Sequence, residues 1–261
     1  MIYEGLVGIF LDCINFGDNL HFNIVKVPRF AGRTVGCPSS FGLTFKGHVS
    51  LHPFQIEFGK RVHRWDIVVA GAGARDLRLI AVLDTAPAWA GMPPDPTAFA
   101  RFAGAFAARY GDALTYYQIW HNPNLGDAWG GHADAYAYTT LLTNAAEVIR
   151  AADADARIVL GSLAPTVETG ERNYAEDVFL EMLYVAGAKP YFDVVAAQPY
   201  GFFAGPDERT VGREAFTFSR AILIREALEA HGDGDKAVWI SHFGWNSKPA
   251  DWPGPASIWG S

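Results

Sequence analysis

His121, Asn122 and His242 are the residues whose types and setting point most directly to chemistry. An imidazole accepts and gives protons near neutral pH, and a carboxamide offers a donor and an acceptor side by side. His121 and Asn122 lie in LTYYQIWHNPNLGDAWGG, residues 114–131. That stretch opens with Tyr116, Tyr117, Ile119 and Trp120, aromatic or β-branched residues that suit a buried strand. Pro123 cannot donate to a ladder and disfavours a helical residue before it, so an extended Asn122 is expected at the strand end. His242 closes a second apolar run, residues 237–241. Asp84 closes a third, and Gln198 with Tyr200 a fourth. Two imidazoles and an amide suit proton transfer or metal-assisted chemistry. His48 and His52 would lie about 13 Å apart on a strand, too far for one metal. A site built from His52, His121 and His242 is conceivable, but no local spacing points to it, so no metal and no cofactor are expected. His48, His63, His132 and His231 read as structural histidines. Cys13 and Cys37 make no disulfide framework, and both the paired and the reduced states stay open.

These positions need elements to hold them. Trp65, Val68, Val69 and Ala72 follow helical spacing. Asp95-Pro96 is a cap followed by proline, and it opens a helix through Phe99, Phe102, Phe106 and Tyr110. Tyr138, Leu141, Leu142, Ala145, Val148 and Ile149 mark the next helix. Asn173 with Glu176 reads as a capping box for a helix ending near Gly187. Ala221, Ile224 and Leu228 mark another, stopped at Gly232. Strands are expected at residues 5–12, 20–27, 41–51, 77–83, 114–120, 157–163, 193–198 and 237–241. The alternation of strands with helices predicts an α/β fold with a parallel sheet, and eight strands are the number that closes a (β/α)8 barrel. A doubly wound open sheet is the runner-up, since no glycine-rich phosphate loop follows any strand. The chain of 261 residues suits one domain, with irregular strands over 1–60, regular βα units over 61–247 and a Pro/Gly/Trp-rich tail over 248–261.

Four stretches carry a family resemblance. QIWHNPN, residues 118–124, resembles the QIWNEPN strand of the clan A glycoside hydrolases, (β/α)8 barrels that include cellulases, β-xylosidases and iduronidase-like enzymes. Ala88-Trp89 resembles the Ala-Trp that follows their strand three. Gln198-Pro199-Tyr200 resembles the His-Pro-Tyr of strand six, and VWISHFGW, residues 238–245, resembles the strand-seven motif carrying Thr-Glu-Phe-Gly-Trp. The resemblance covers roughly residues 65–247. It implies a saccharide cleft at the C-terminal strand ends, with Trp89, Trp120, Trp129, Tyr200 and Trp245 as stacking faces and Asp84 and Gln198 as polar contacts. In the family, Glu occupies the positions of Asn122 and His242, as acid/base and nucleophile. Retaining hydrolysis needs two carboxylates about 5–5.5 Å apart, and an amide is no proton donor. Asp84, Asp127 and Glu168 are the carboxylates that could stand in, none of them at a family catalytic position. No stretch after Trp245 resembles the family's last strand, so an N-terminal strand is expected in its place, as in a permuted or rebuilt barrel.

Three functions follow. The first is a carbohydrate-binding or weakly active relative, a pseudoenzyme with an oligosaccharide or other small-molecule ligand. The second is a repurposed or engineered barrel enzyme using His121 and His242 for proton transfer or metal-assisted chemistry. The third is a non-catalytic barrel domain of a longer protein. A net charge of −7 without a basic cluster argues against nucleic acid and anionic membranes. No apolar run is long enough to cross a bilayer, and residues 1–14 lack the basic start of a signal peptide. A soluble chain is expected, cytoplasmic as expressed, or secreted if a signal has been removed, as in much of the resembled family.

Overall fold

The computed structural model describes residues 21–25, 63–84, 86, 90–170, 172–202 and 204–245. The expected strands at 5–12 and 41–51, together with Cys13, Cys37, His48, His52, Trp89 and the tail, lie outside them. From Arg78 the sequence pattern becomes a regular series: β2 (Arg78–Leu83), α2 (Pro96–Tyr110), β3 (Tyr116–His121), α3 (Ala135–Ala152), β4 (Arg157–Leu163), α4 (Glu176–Val185), β7 (Val194–Ala197), α5 (Ala221–Ala230) and β8 (Ala237–Ile240). Before it come β1 (His21–Val25) and α1 (His63–Gly73). A small hairpin, β5 (Thr169–Gly170) and β6 (Asn173–Tyr174), leads into α4.

The main sheet has six strands in the order β1-β2-β3-β4-β7-β8. From β2 onward all pairs are parallel, so the five strands read as consecutive βα units are consecutive neighbours. β1 departs from the expectation for residues 20–27. It runs antiparallel to β2, with His21 opposite Val82 and Val25 opposite Arg78. A closed ring of eight parallel strands is therefore not seen among the described residues. Period-two alternation marks a strand but carries no direction, which is why the sequence could not give it.

The sheet nevertheless curls steeply. β3 and β8 have β4 and β7 between them, a span of about 14 Å in a flat sheet. Yet the rings of Tyr116 on β3 and Trp239 on β8 are 4.8 Å apart. Val159, Val194 and Ala196 pack with this pair on the concave face. Tyr117, Ile119, Ile158, Leu160, Val195 and Ala197 alternate onto the convex face and join the helices in the main core. This is the period-two alternation of strands buried on both faces.

Local signals explain the starts of α2 and α3. The Asp95 side chain accepts from Ala98 N at 2.7 Å ahead of Pro96, as expected from the sequence. Asp134 caps α3 by accepting from Tyr136 and Ala137. The capping box expected at Asn173 is corrected. The N-cap of α4 is Ala175, without a side-chain bond. Asn173 instead sits in β6, accepts from Gly126 N and donates to Glu168. Glu176 turns inward to Arg220. Among the described residues no helix is long and apolar enough to cross a membrane.

At the opposite end from the strand C-termini, Asp233 is buried against Tyr184 Oη at 2.7 Å, Lys236 at 2.9 Å and Lys189 at 3.3 Å. Burial pushes its carboxyl up, but the bonds from Lys236, Tyr184 and Lys189 win and hold it below the ordinary value. A depressed folded pKa means that the unfolded chain takes the proton first as pH falls. The stabilisation is thus present above about pH 4 and is lost as pH drops through the folded value. Asp233→Asn should destabilise the protein near neutral pH, and its deficit relative to wild type should shrink in acid. Urea unfolding at both conditions checks this; a deficit independent of pH would contradict it.

Candidate functional site

The C-terminal ends of β3, β4, β7 and β8 meet on the concave side. Two residues at the end of β3 have left-handed backbone: Trp120 at φ 71° and Asn122 at φ 51°. The extended Asn122 expected from Pro123 is therefore corrected. Asn122 N donates to Ser162 O, and Asn122 O accepts from Leu125 N, both at 2.9 Å. These bonds outweigh the bias before proline, and asparagine is among the residues that tolerate this conformation.

Across the strand pair His121 lies opposite Ser162. The register of β4 shifts between Leu160 and Leu163, and Gly161 occupies the irregularity. A Cβ there would meet Ile119 O at 2.7 Å and Tyr138 Oη at 2.9 Å, so glycine is required by space. Tyr138 Oη accepts from Gly161 N and donates to Ile119 O, both at 2.8 Å. Burial holds this phenol well above its ordinary pKa range, so it stays a neutral donor. Tyr138→Phe should cost about 1–3 kcal/mol by leaving Gly161 N and Ile119 O without that bond. Chemical denaturation measures it; a change within experimental error would show that the phenol does not hold the bulge.

Ser162 belongs to a connected polar set. Gln198 Nε2 donates to Asn122 Oδ1 at 2.6 Å and to Ser162 Oγ at 3.0 Å. Ser162 Oγ and Ser241 Oγ share a hydrogen bond. Ser241 Oγ also donates to Ala197 O at 3.1 Å and lies 3.2 Å from His242 Nδ1. The His121 and His242 rings stand 5.1 Å apart at 64°. Four expected site residues, His121, Asn122, Gln198 and His242, are thus brought together. Ser162 lies near the end of β4 and Ser241 just past β8; the linking role of Ser241 was missed. Its signal was parity, since Ser241 is two residues past the inward Trp239.

The aromatic residues divide differently from the expectation. Trp120 and Trp129 are each 2% exposed. Trp120 Nε1 donates to Ala128 O at 2.9 Å, and its ring packs against Phe99 and Trp129. Trp129 packs in turn on Tyr138. Their expected role as stacking faces is corrected: these rings fasten the β3–α3 loop to the core. Tyr200 and Trp245 remain half-buried at the ends of β7 and β8. Trp245 donates from Nε1 to Ala204 O at 2.8 Å and adjoins Phe218 and Phe243, the latter 41% exposed. Phe202 bridges Tyr200 and Phe216. This aromatic edge draws on Phe202, Phe216, Phe218 and Phe243, which the sequence reading did not single out. Trp89 lies outside the described residues.

Asp84 is half-buried just past β2, the strand beside β3. Asp127 pairs with Arg172 and Glu168 accepts from Asn173, so both serve the loop and hairpin at the rim. Asn124 is fully buried and joins two loops by donating to Ala164 O and Tyr174 O and accepting from Ala164 N. Among the described residues, no three His, Cys, Asp or Glu side chains are grouped to hold a metal.

No family model matches the chain, and no curated protein matches it. Solved structures do. A glucosidase from Croceicoccus marinus superposes with a TM-score of 0.55 at 15% identity, over 72% of this chain and 39% of that one. A family 39 glycoside hydrolase from Bacteroides cellulosilyticus gives 0.53 at 16% identity, over 74% and 41%. The chain spans about two fifths of the length of either structure. The likeness is one of fold: an α/β chain with a parallel sheet, as in these two structures.

Proposed function

We propose that the chain binds a saccharide at the joined ends of β3, β4, β7 and β8 and does not perform retaining hydrolysis there. The observation carrying this reading is the connected set Asn122–Gln198–Ser162–Ser241–His242. Its members are amides, hydroxyls and an imidazole, groups that give and take hydrogen bonds as sugar hydroxyls require. Tyr200 and Trp245 supply apolar surface beside it. At the two positions where the resembled family carries Glu, this chain has Asn122 and His242, so the carboxylate pair of the double displacement is missing. The likeness of fold to a solved glucosidase and a family 39 glycoside hydrolase supports the ligand class.

A second reading has one observation in its favour. The ring contact of His121 with His242 suits proton transfer between a ligand and an imidazole pair. As a domain of a longer protein, the chain could serve either reading.

The test is a calorimetric titration with neutral gluco- and xylo-oligosaccharides, run beside an aryl-glycoside hydrolysis panel. Saturable binding with no turnover is expected. Steady turnover that survives changes at both Asn122 and His242 would place the chemistry elsewhere.

A further inference from the structure

We infer that Ser241 is a positioning residue that fixes His242 in the Nδ1–H tautomer. The argument is a count of protons. Ser241 Oγ has one hydrogen and two lone pairs, and it meets three neighbours: Ala197 O, Ser162 Oγ and His242 Nδ1. A carbonyl oxygen only accepts, so the Ser241 hydrogen goes to Ala197 O. Ser162 and His242 must then both donate to Ser241. Ser162 is free to do so, because its own oxygen already accepts from Gln198 Nε2. His242 Nδ1 must carry a hydrogen. The reverse arrangement, with Ser241 donating to the ring, would set the Ser241 and Ala197 oxygens against each other as two acceptors at 3.1 Å.

The consequence reaches the mouth of the sheet. Nδ1 donates to Ser241 whether the ring is neutral or cationic. In a neutral His242 Nε2 is therefore an acceptor, and Nδ1 is the donor. Ser241 is 3% exposed and acts only through His242. The inference concerns the ring itself and holds with or without a saccharide ligand.

Nitrogen-15 correlation spectra of the imidazoles, recorded above about pH 8 where an ordinary histidine is neutral, read the tautomer directly. His242→Gln assigns the signal among the eight histidines. Wild type is expected to show a protonated Nδ1 and a bare Nε2 at His242. Ser241→Ala should move His242 towards the Nε2–H form that free histidine favours. Ser162→Ala should leave the tautomer unchanged, because Ala197 O still takes the Ser241 hydrogen. A wild-type His242 in the Nε2–H form overturns the inference whether or not the variants fold. So does a folded Ser241→Ala protein that keeps the Nδ1–H form.

Discussion

Glu176→Ala and Arg220→Ala are each expected to cost about 3–5 kcal/mol, the effect of leaving one member of a buried ion pair uncompensated. The Arg220 side chain is 0% exposed and that of Glu176 is 6% exposed. The guanidinium bonds both Glu176 oxygens, and it also donates to Thr166 O and Arg213 O. Phe216 covers it at 5.1 Å. Thr166 lies between β4 and α4, Arg213 between β7 and α5, and Glu176 in the first turn of α4. One buried charge therefore ties together two connections that wall the mouth. Since a domain is stable by only about 5–15 kcal/mol, either variant should be close to unfolding. Replacing both together, as Glu176→Leu with Arg220→Met, should cost less than either alanine change because no lone charge is buried. Urea unfolding of the three variants decides. Single variants within about 1 kcal/mol of wild type would show that the pair is dispensable.

The second expected result concerns activity. Asn122→Glu with His242→Glu should raise aryl-glycoside hydrolysis by at least about a hundredfold over the parent, the low end of what a positioned acid/base contributes. Each change alone should do little, because residues that act as a unit are not additive. The parent geometry bears on how well this works. Gln198 Nε2 already donates to the side chain at 122, and a carboxylate there could accept the same bond. Against it, φ at 122 is 51°, which asparagine tolerates better than glutamate. The carboxyl at 122 must keep its proton to act as acid, and the one at 242 must stay ionised. Rates across pH for the parent, both single variants and the double variant test this. A folded double variant that is inert on a broad panel would favour the reading in which His121 and His242 do other chemistry.

The readable parts of the fold were those set by local spacing. Helical periodicity gave α1, α2, α3 and α5, and Asp95-Pro96 marked a helix start because the cap is local. Apolar runs between turn residues gave the parallel strands, and the motifs at their ends named four residues that meet. The errors share one physical cause, the override of local preference by distant partners. Ser162 O, 40 residues along the chain, holds Asn122 away from the extended form. Arg220, 44 residues along the chain, draws Glu176 out of a capping box. Trp120 and Trp129 face the core because Phe99 and Tyr138 are there to receive them. Nothing in a strand's own residues says that β1 pairs antiparallel. Ser241 went unnoticed because its importance lies in partners from two other strands, Ser162 of β4 and Ala197 of β7.

The most direct test of a saccharide site at these strand ends is a titration of the folded protein with neutral oligosaccharides, followed through the ring signals of His121 and His242. Saturable shifts at both histidines, weakened by Gln198→Ala, are the result this structure leads us to expect. Binding that leaves both rings untouched, or no response to any saccharide up to the solubility limit, would contradict it.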